Sequence, residues 1–167
     1  MKENKFSTQQ LVLMAFLIAI HVILSRFLSI AAWNLKIGFA FVPVVLAAIY
    51  LGPVQAALVG ALGDFVGAIL FPIGAYFPGF TLTAFLVGLT YGIFLHKKQS
   101  FGRILGAVVL TEVIGSLLLN TLWISVLYGS PFLPLLATRA FQAGVMAIAE
   151  TAVITCLTSI RLRVRHT

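Results

Sequence analysis

The chain has 167 residues, 61% of them hydrophobic and 9% charged, whereas roughly a quarter of an ordinary soluble domain is charged. So little charge could not solvate the surface of a water-soluble globule of this length. Eleven Lys and Arg against four Asp and Glu give a net charge of +7. The cations stand in short clusters beside hydrophobic blocks and are not interleaved with aromatics on one basic face, which excludes a nucleic-acid reader and points to membrane orientation and contact with anionic lipid.

The opening residues MKENKFSTQQ precede an apolar run longer than the roughly 7 to 15 residues of a signal-peptide core, so the run reads as a retained helix over residues 8–28. A break at 30–34 leads to a second helix over 38–51. Gly52-Pro53 marks a tight turn, since Pro cannot continue a helix and favours the start of the next, and the third helix covers 54–70. Residues 71–79, FPIGAYFPG, hold two prolines and two glycines that forbid a regular helix while remaining apolar. Such a loop at a membrane must line a cavity or pack on protein. A fourth helix over 80–95 ends in His96-Lys97-Lys98, a fifth over 103–128 is closed by Gly129-Ser130-Pro131, and a sixth runs over 133–160 into Arg161, Arg163 and Arg165. Cys156, the lone cysteine, permits no intramolecular disulfide and no cysteine-based metal site, and reads as a small, buried apolar filler.

The expected fold is therefore an all-α integral membrane bundle of six transmembrane helices, one domain over 1–167. With six spans, the amino end, the Gly52 turn, the 96–103 loop and the carboxyl end share one side. That side collects Lys2, Lys5, Lys97, Lys98, Arg103, Arg161, Arg163 and Arg165. The positive-inside rule makes it cytoplasmic, with both termini there.

Three cations remain, Arg26, Lys36 and Arg139, all near the external ends of their helices. Charge near hydrocarbon costs several kcal/mol, so it tends to face a cavity and marks a functional site. Three of one sign would attract an anion, although Arg26 and Lys36 can also snorkel to lipid headgroups. Asn120 and Trp123 are three apart and share a helix face. Asn offers a donor and an acceptor to a heterocycle edge, and Trp a stacking surface. The plainer alternative makes Asn120 an interhelical hydrogen bond and Trp123 an interface anchor. Tyr76 and Phe77 can close over a ligand or belong to an aromatic belt. Asp64, Glu112 and Glu150 stand on three different helices, so no acid/base pair is evident, and His21 reads as a satisfied interior or interface residue. Walker, His-Glu-x-x-His and Gly-x-Ser-x-Gly signatures are missing, which leaves no catalytic, metal or cofactor assignment.

The segments LSRFL (24–28), LKIGF (35–39) with Pro43, GAYFPGFT (74–81) and LNTLW (119–123) continuing to LYG (127–129) and Arg139 resemble the folate-specific branch of the substrate-binding (S) components of energy-coupling factor transporters. The resemblance covers nearly the whole chain. It implies a six-helix vitamin-binding subunit that hydrolyses no ATP itself and associates with a transmembrane coupling subunit and two cytoplasmic ATPases. The Ala15-Phe-Leu-Ile-Ala19 motif would contact the coupling subunit. It implies toppling in the membrane, with the loops at 29–37 and 71–79 gating the pocket. On this reading folate is the ligand: Arg26, Lys36 and Arg139 supply charge to its glutamate end, Asn120 reads the pterin edge, and Trp123, Tyr76 or Phe77 cover ring faces. Placement of Arg139 on the pterin side stays open. The rivals are an S component for another vitamin, a self-sufficient proton-coupled carrier using Asp64 or Glu112, and a structural or lipid-interacting protein without a solute.

Overall fold

A computed structural model describes residues 7–31 and 36–164. Lys2, Lys5, residues 32–35 and Arg165, which entered the sequence reading, lie outside the described residues. The elements in order are α1 (Thr8–Arg26), β1 (Ser29–Ala31), β2 (Lys36–Gly38), α2 (Phe41–Tyr50), α3 (Pro53–Leu70), α4 (Pro78–Leu95), α5 (Phe101–Leu110), a π-helical segment (Thr111–Leu119), α6 (Asn120–Tyr128) and α7 (Phe132–Val164).

Local chemistry explains the boundaries. Ser7 and Gln10 form a capping box at the start of α1, with backbone-to-side-chain bonds of 3.1 and 3.3 Å in the two directions, which satisfies donors that a helix start leaves orphaned. Gly52, at φ 118°, makes the turn before Pro53, and Gly129, at φ 64°, terminates α6 in the left-handed conformation that glycine adopts without penalty. Arg103 closes the end of α4 by donating to the Phe94 carbonyl at 2.6 Å and the Ile93 carbonyl at 3.0 Å.

Five stretches are long and apolar enough to cross a membrane: α1, α3, α4, the continuous run Phe101–Tyr128, and Phe132–Ser159 of α7. The remaining helix, α2, has 10 residues, about 15 Å of length, and is shorter than the expected 38–51. Its leading residues are spent on an antiparallel hairpin, in which Ser29 pairs with Gly38, Ile30 with Ile37 and Ala31 with Lys36. The break expected at 30–34 is thus a built element in its flanks. Helix α7 extends to Val164, and Cys156 lies on its exposed face. The expectation of a buried cysteine fails because the outer face of a membrane helix is apolar too, and hydrophobicity alone does not say which side a residue takes.

Helices α2, α3 and α4 form the tightest part. Val45, Ala47, Ala48, Ala56, Val59 and Tyr91 are fully buried between them and α5. A Cβ on Gly88 would strike the Ala56 carbonyl, and one on Gly92 the Cα of Pro53. Small residues let the two helices come this close.

Candidate functional site

A cavity of about 580 Å³ opens between the hairpin, α1, α3, α4, the π segment with α6, and α7. That volume is in the range of small-molecule sites. Its walls include Phe41, Phe80, Val87, Ile124 and Met146, and its polar groups arrive from seven elements and the 71–77 loop.

At one end α1 delivers Arg26. Its Nη2 donates to the Asp64 carbonyl at 3.3 Å and stands 3.8 Å from Asp64 Oδ1. Asp64 Oδ2 accepts from Thr81 Oγ1 at 2.9 Å, and that hydroxyl lies 3.2 Å from Tyr76 Oη. One polar chain therefore joins α1, α3, α4 and the 71–77 loop. Helix α3 makes room for it: a Cβ on Gly67 would come within 2.8 Å of Arg26 Nε, and one on Gly63 would collide with the His21 ring. These two glycines, at the spacing that reads as helix packing, instead hold polar side chains against the cavity.

Lys36 enters from β2. Gln142 of α7 donates from Nε2 to the Lys36 carbonyl at 2.6 Å, which ties the hairpin to a helix 106 residues away in sequence. The residue as a whole is exposed, yet its ammonium is hemmed in by protein on the cavity side. Its pKa is lowered from 10.5 to about 8, chiefly by desolvation and then by the Arg26 charge, with Asp64 partly offsetting both.

The far end is set by the π segment. Glu112, Ser116, Asn120, Ile124 and Tyr128 are each four residues apart, and all line the cavity. In an α-helix, residues four apart advance by about 40° each, so the fifth would face away. A π turn takes more residues per revolution, so residues four apart fall short of a full circle, and the wide segment cancels the drift. Opposite them, Glu150 Oε2 accepts from Tyr91 Oη at 2.6 Å, and Thr111 Oγ1 donates to the same phenol oxygen at 3.2 Å. Arg139 donates to the Ser116 carbonyl at 3.0 Å and attracts Glu112 electrostatically.

Of the residues singled out in the sequence, Arg26, Lys36, Tyr76, Asn120 and Arg139 line this one cavity. Phe77 and Trp123 stand in the wall behind it, their rings 5.6 Å apart, with Trp123 Nε1 donating 3.0 Å to the cavity-lining Thr83 Oγ1. Asn120 and Trp123 thus serve different neighbours despite their three-residue spacing. Ala15 and Ala19 are exposed on α1, away from the cavity. His21 is interior, but it lines the cavity and its Nδ1 has no hydrogen-bond partner among the described residues. The carboxylates that look isolated along the chain are partnered or gathered in space: Asp64 with Arg26 and Thr81, Glu150 with Tyr91, and Glu112 and Glu150 in the same cavity. Glu112, Glu150, Tyr91 and Gln142 went unassigned as ligand-facing groups. The signal for the two glutamates was present, since an intramembrane acid is a site candidate by default.

Buried polar atoms without a partner among the described residues gather here: Arg26 Nε, Glu112 Oε2, Asn120 Oδ1 and Gln142 Oε1, with His21 Nδ1. Buried polar groups are normally hydrogen-bonded. A cluster of exceptions around one cavity is what a site awaiting a polar ligand requires.

Comparison with known proteins gives a consistent picture. The model of the family described as ECF transporter, substrate-specific component, matches residues 9–162. The folate transporter FolT of Clostridium novyi (strain NT) is 42% identical over 137 residues, which cover 81% of this chain and 80% of that one. FolT of Leuconostoc mesenteroides subsp. mesenteroides is 40% identical over 126 residues, covering 74% and 68% respectively. A crystal structure of FolT bound with folic acid matches with a TM-score of 0.86 at 36% identity, over 90% of this chain and 93% of that chain.

Proposed function

The chain belongs to the family of substrate-specific components of energy-coupling factor transporters, a transport family and not an enzyme family, and from that premise we propose that it is the folate-binding subunit of such a transporter. The observation that carries the proposal is the polarity of the cavity: Arg26 and Lys36 by the hairpin, and acceptor oxygens of Glu112 and Asn120 on the π segment and α6 at the far end. Folate has the matching polarity, with two carboxylates on its glutamate and a hydrogen-bonding heterocycle at the other end. In this reading Arg26 and Lys36 hold the glutamate carboxylates, Arg26 with the planar fork that suits them. Asn120 meets the pterin, Arg139 works beside Glu112 on the pterin side, Tyr76 covers the mouth, and the Phe77–Trp123 pair stiffens the wall. The names of the relatives support folate over other vitamins.

The finer parts of the proposal concern assembly. Both termini are cytoplasmic, and the protein sits in the plasma membrane of its cell. The exposed Ala15 and Ala19 face of α1 receives a transmembrane coupling subunit, whose two partner ATPases drive uptake by reorienting the loaded subunit.

A thermal-shift panel of folic acid, riboflavin, biotin and thiamine on the purified protein tests the ligand. At a thousandfold excess over Kd, a bound vitamin stabilises by about 4 kcal/mol, which raises the unfolding midpoint by on the order of 10 °C. Folic acid alone should do so. A shift with another vitamin, or with none, removes the folate assignment.

A further inference from the structure

At the hairpin end of the cavity Arg26 and Lys36 share their space with a carboxylate, Asp64. Asp64 acts electrostatically on both cations, so it repels the carboxylates that those cations attract. Capture of an anion alone gives no reason for such a group, and the way it is held supplies one.

The Arg26–Asp64 pair is loose. Arg26 Nη2 stands 3.8 Å from Oδ1, beyond hydrogen-bond range, and donates instead to the Asp64 main-chain carbonyl at 3.3 Å. Arg26 Nε, buried beside Gly67, has no hydrogen-bond partner among the described residues. A carboxylate seated on a guanidinium takes two parallel N–H donors at about 2.7–2.9 Å. Asp64 does not, so the fork stays available to a second carboxylate. The Asp64 side chain meanwhile has its own hold on the protein. Thr81 Oγ1 donates to its Oδ2 at 2.9 Å. A hydroxyl has a single proton, so the 3.2 Å contact of that oxygen with Tyr76 Oη is a donation from the phenol. The chain from Tyr76 through Thr81 to Asp64 runs one way and ends on the charge, an order in which successive hydrogen bonds strengthen one another. Asp64 therefore keeps a partner when Arg26 turns away from it.

Resting on the folate reading, we propose that Asp64 is a stand-in for the ligand's carboxylate: it balances Arg26 while the cavity is empty and yields the guanidinium to the glutamate tail on loading. Asp64 thus stabilises the empty protein and opposes loading. With it, Arg26 and Lys36 present a net charge of one to the two carboxylates of the tail, and without it a charge of two. A merely structural role, in which Asp64 holds Arg26 in place for the ligand, predicts the opposite sign on binding.

The test compares the purified full-length parent with Asp64→Asn and Asp64→Ser, using folic acid and its glutamate dimethyl ester, which keeps the ring and the tail without the charge. Without ligand, both variants should melt about 2 to 4 °C below the parent, the shift expected from loss of one such ion pair in a chain of this size. Both should bind folic acid roughly 2- to 5-fold more tightly than the parent, with the affinity for the ester unchanged. Weaker or equal binding of folic acid by a folded variant overturns the proposal, and so does an equal gain with the ester. If a variant is unfolded when empty, folic acid present during extraction should restore the folded protein where the ester does not, and failure of that rescue in both variants is also a refutation. A parent that binds no folic acid refutes the folate reading itself, a result distinct from all of these.

Discussion

Removing the charge of Lys36 should change how ligand affinity depends on pH, and the size of the change follows from its surroundings. The Lys36 ammonium is pushed down from 10.5 to about 8, because desolvation and the neighbouring Arg26 disfavour its charged form. A bound carboxylate favours that form, so the pKa rises on binding and the complex holds more proton than the free protein in the window above 8. Affinity for an anion must then fall as pH rises through about 8. If the ligand restores the ordinary value, the Lys36 contribution drops roughly tenfold between pH 7 and pH 9. Folic acid has titrations of its own, so the quantity to measure is the ratio of parent to Lys36→Met affinities, in which they cancel. Fluorescence titration at half-unit steps from pH 6.5 to 9.5 gives that ratio. It should be constant below about pH 7.5 and fall above it. A ratio that is flat or rising across the window refutes the placement of Lys36 on the ligand's anionic end.

Other substitutions separate binding from stability. Gly67→Ala places a Cβ against the Arg26 guanidinium, so folate affinity should fall roughly 10- to 100-fold with little change in the unfolding midpoint, read by titration and thermal melting of the same sample. Gly92→Ala meets the backbone of Pro53 and should instead cost about 1 to 3 kcal/mol of stability through overpacking, leaving the affinity of the folded fraction unchanged. Gln142→Leu removes the bond that ties the hairpin to α7, and stopped-flow chase should show folate leaving roughly 2- to 10-fold faster. Ala19→Trp adds bulk to the exposed face of α1. It should abolish co-purification with the coupling subunit while leaving folate titrations unchanged, and loss of both together would remove the assignment of that face.

The helical spans were legible because their signal is additive: long uncharged blocks, ended by Gly52-Pro53, by Gly129-Ser130-Pro131 and by the proline-rich 71–79 segment, need no knowledge of what they pack against. The three external cations stood out for the same reason, since each is costly where it lies. What escaped notice depends on contacts between distant residues or on a departure from ideal periodicity. The hairpin beside Lys36 is stabilised by Gln142, 106 positions later, and no local pattern announces such a bond. The stripe from Glu112 to Tyr128 exists only because the intervening turns are wound wide, whereas a regular helix assigned over 103–128 sends its two ends to different sides. Glu112 and Glu150 look solitary along the chain, and only the bundle brings them to one cavity. Gly63 and Gly67 stand four apart, a spacing that does not tell whether the space small residues leave admits a helix or, as here, the side chains of His21 and Arg26.

The close contact of α3 with α4 constrains how the protein can move. At Gly88 and Gly92 the facing chains meet with no layer of rotamers between them, so there is nothing to ratchet or slide, and the pair acts as a plank. A carrier that tips bodily through a lipid bilayer needs such a stiff member, or the tilt would be absorbed as internal shear before it reached the cargo. The hairpin, by contrast, is tied to its neighbours by side-chain hydrogen bonds, from Gln142 to the Lys36 carbonyl and from Ser29 to the Ser25 carbonyl, which can break and re-form without moving a helix.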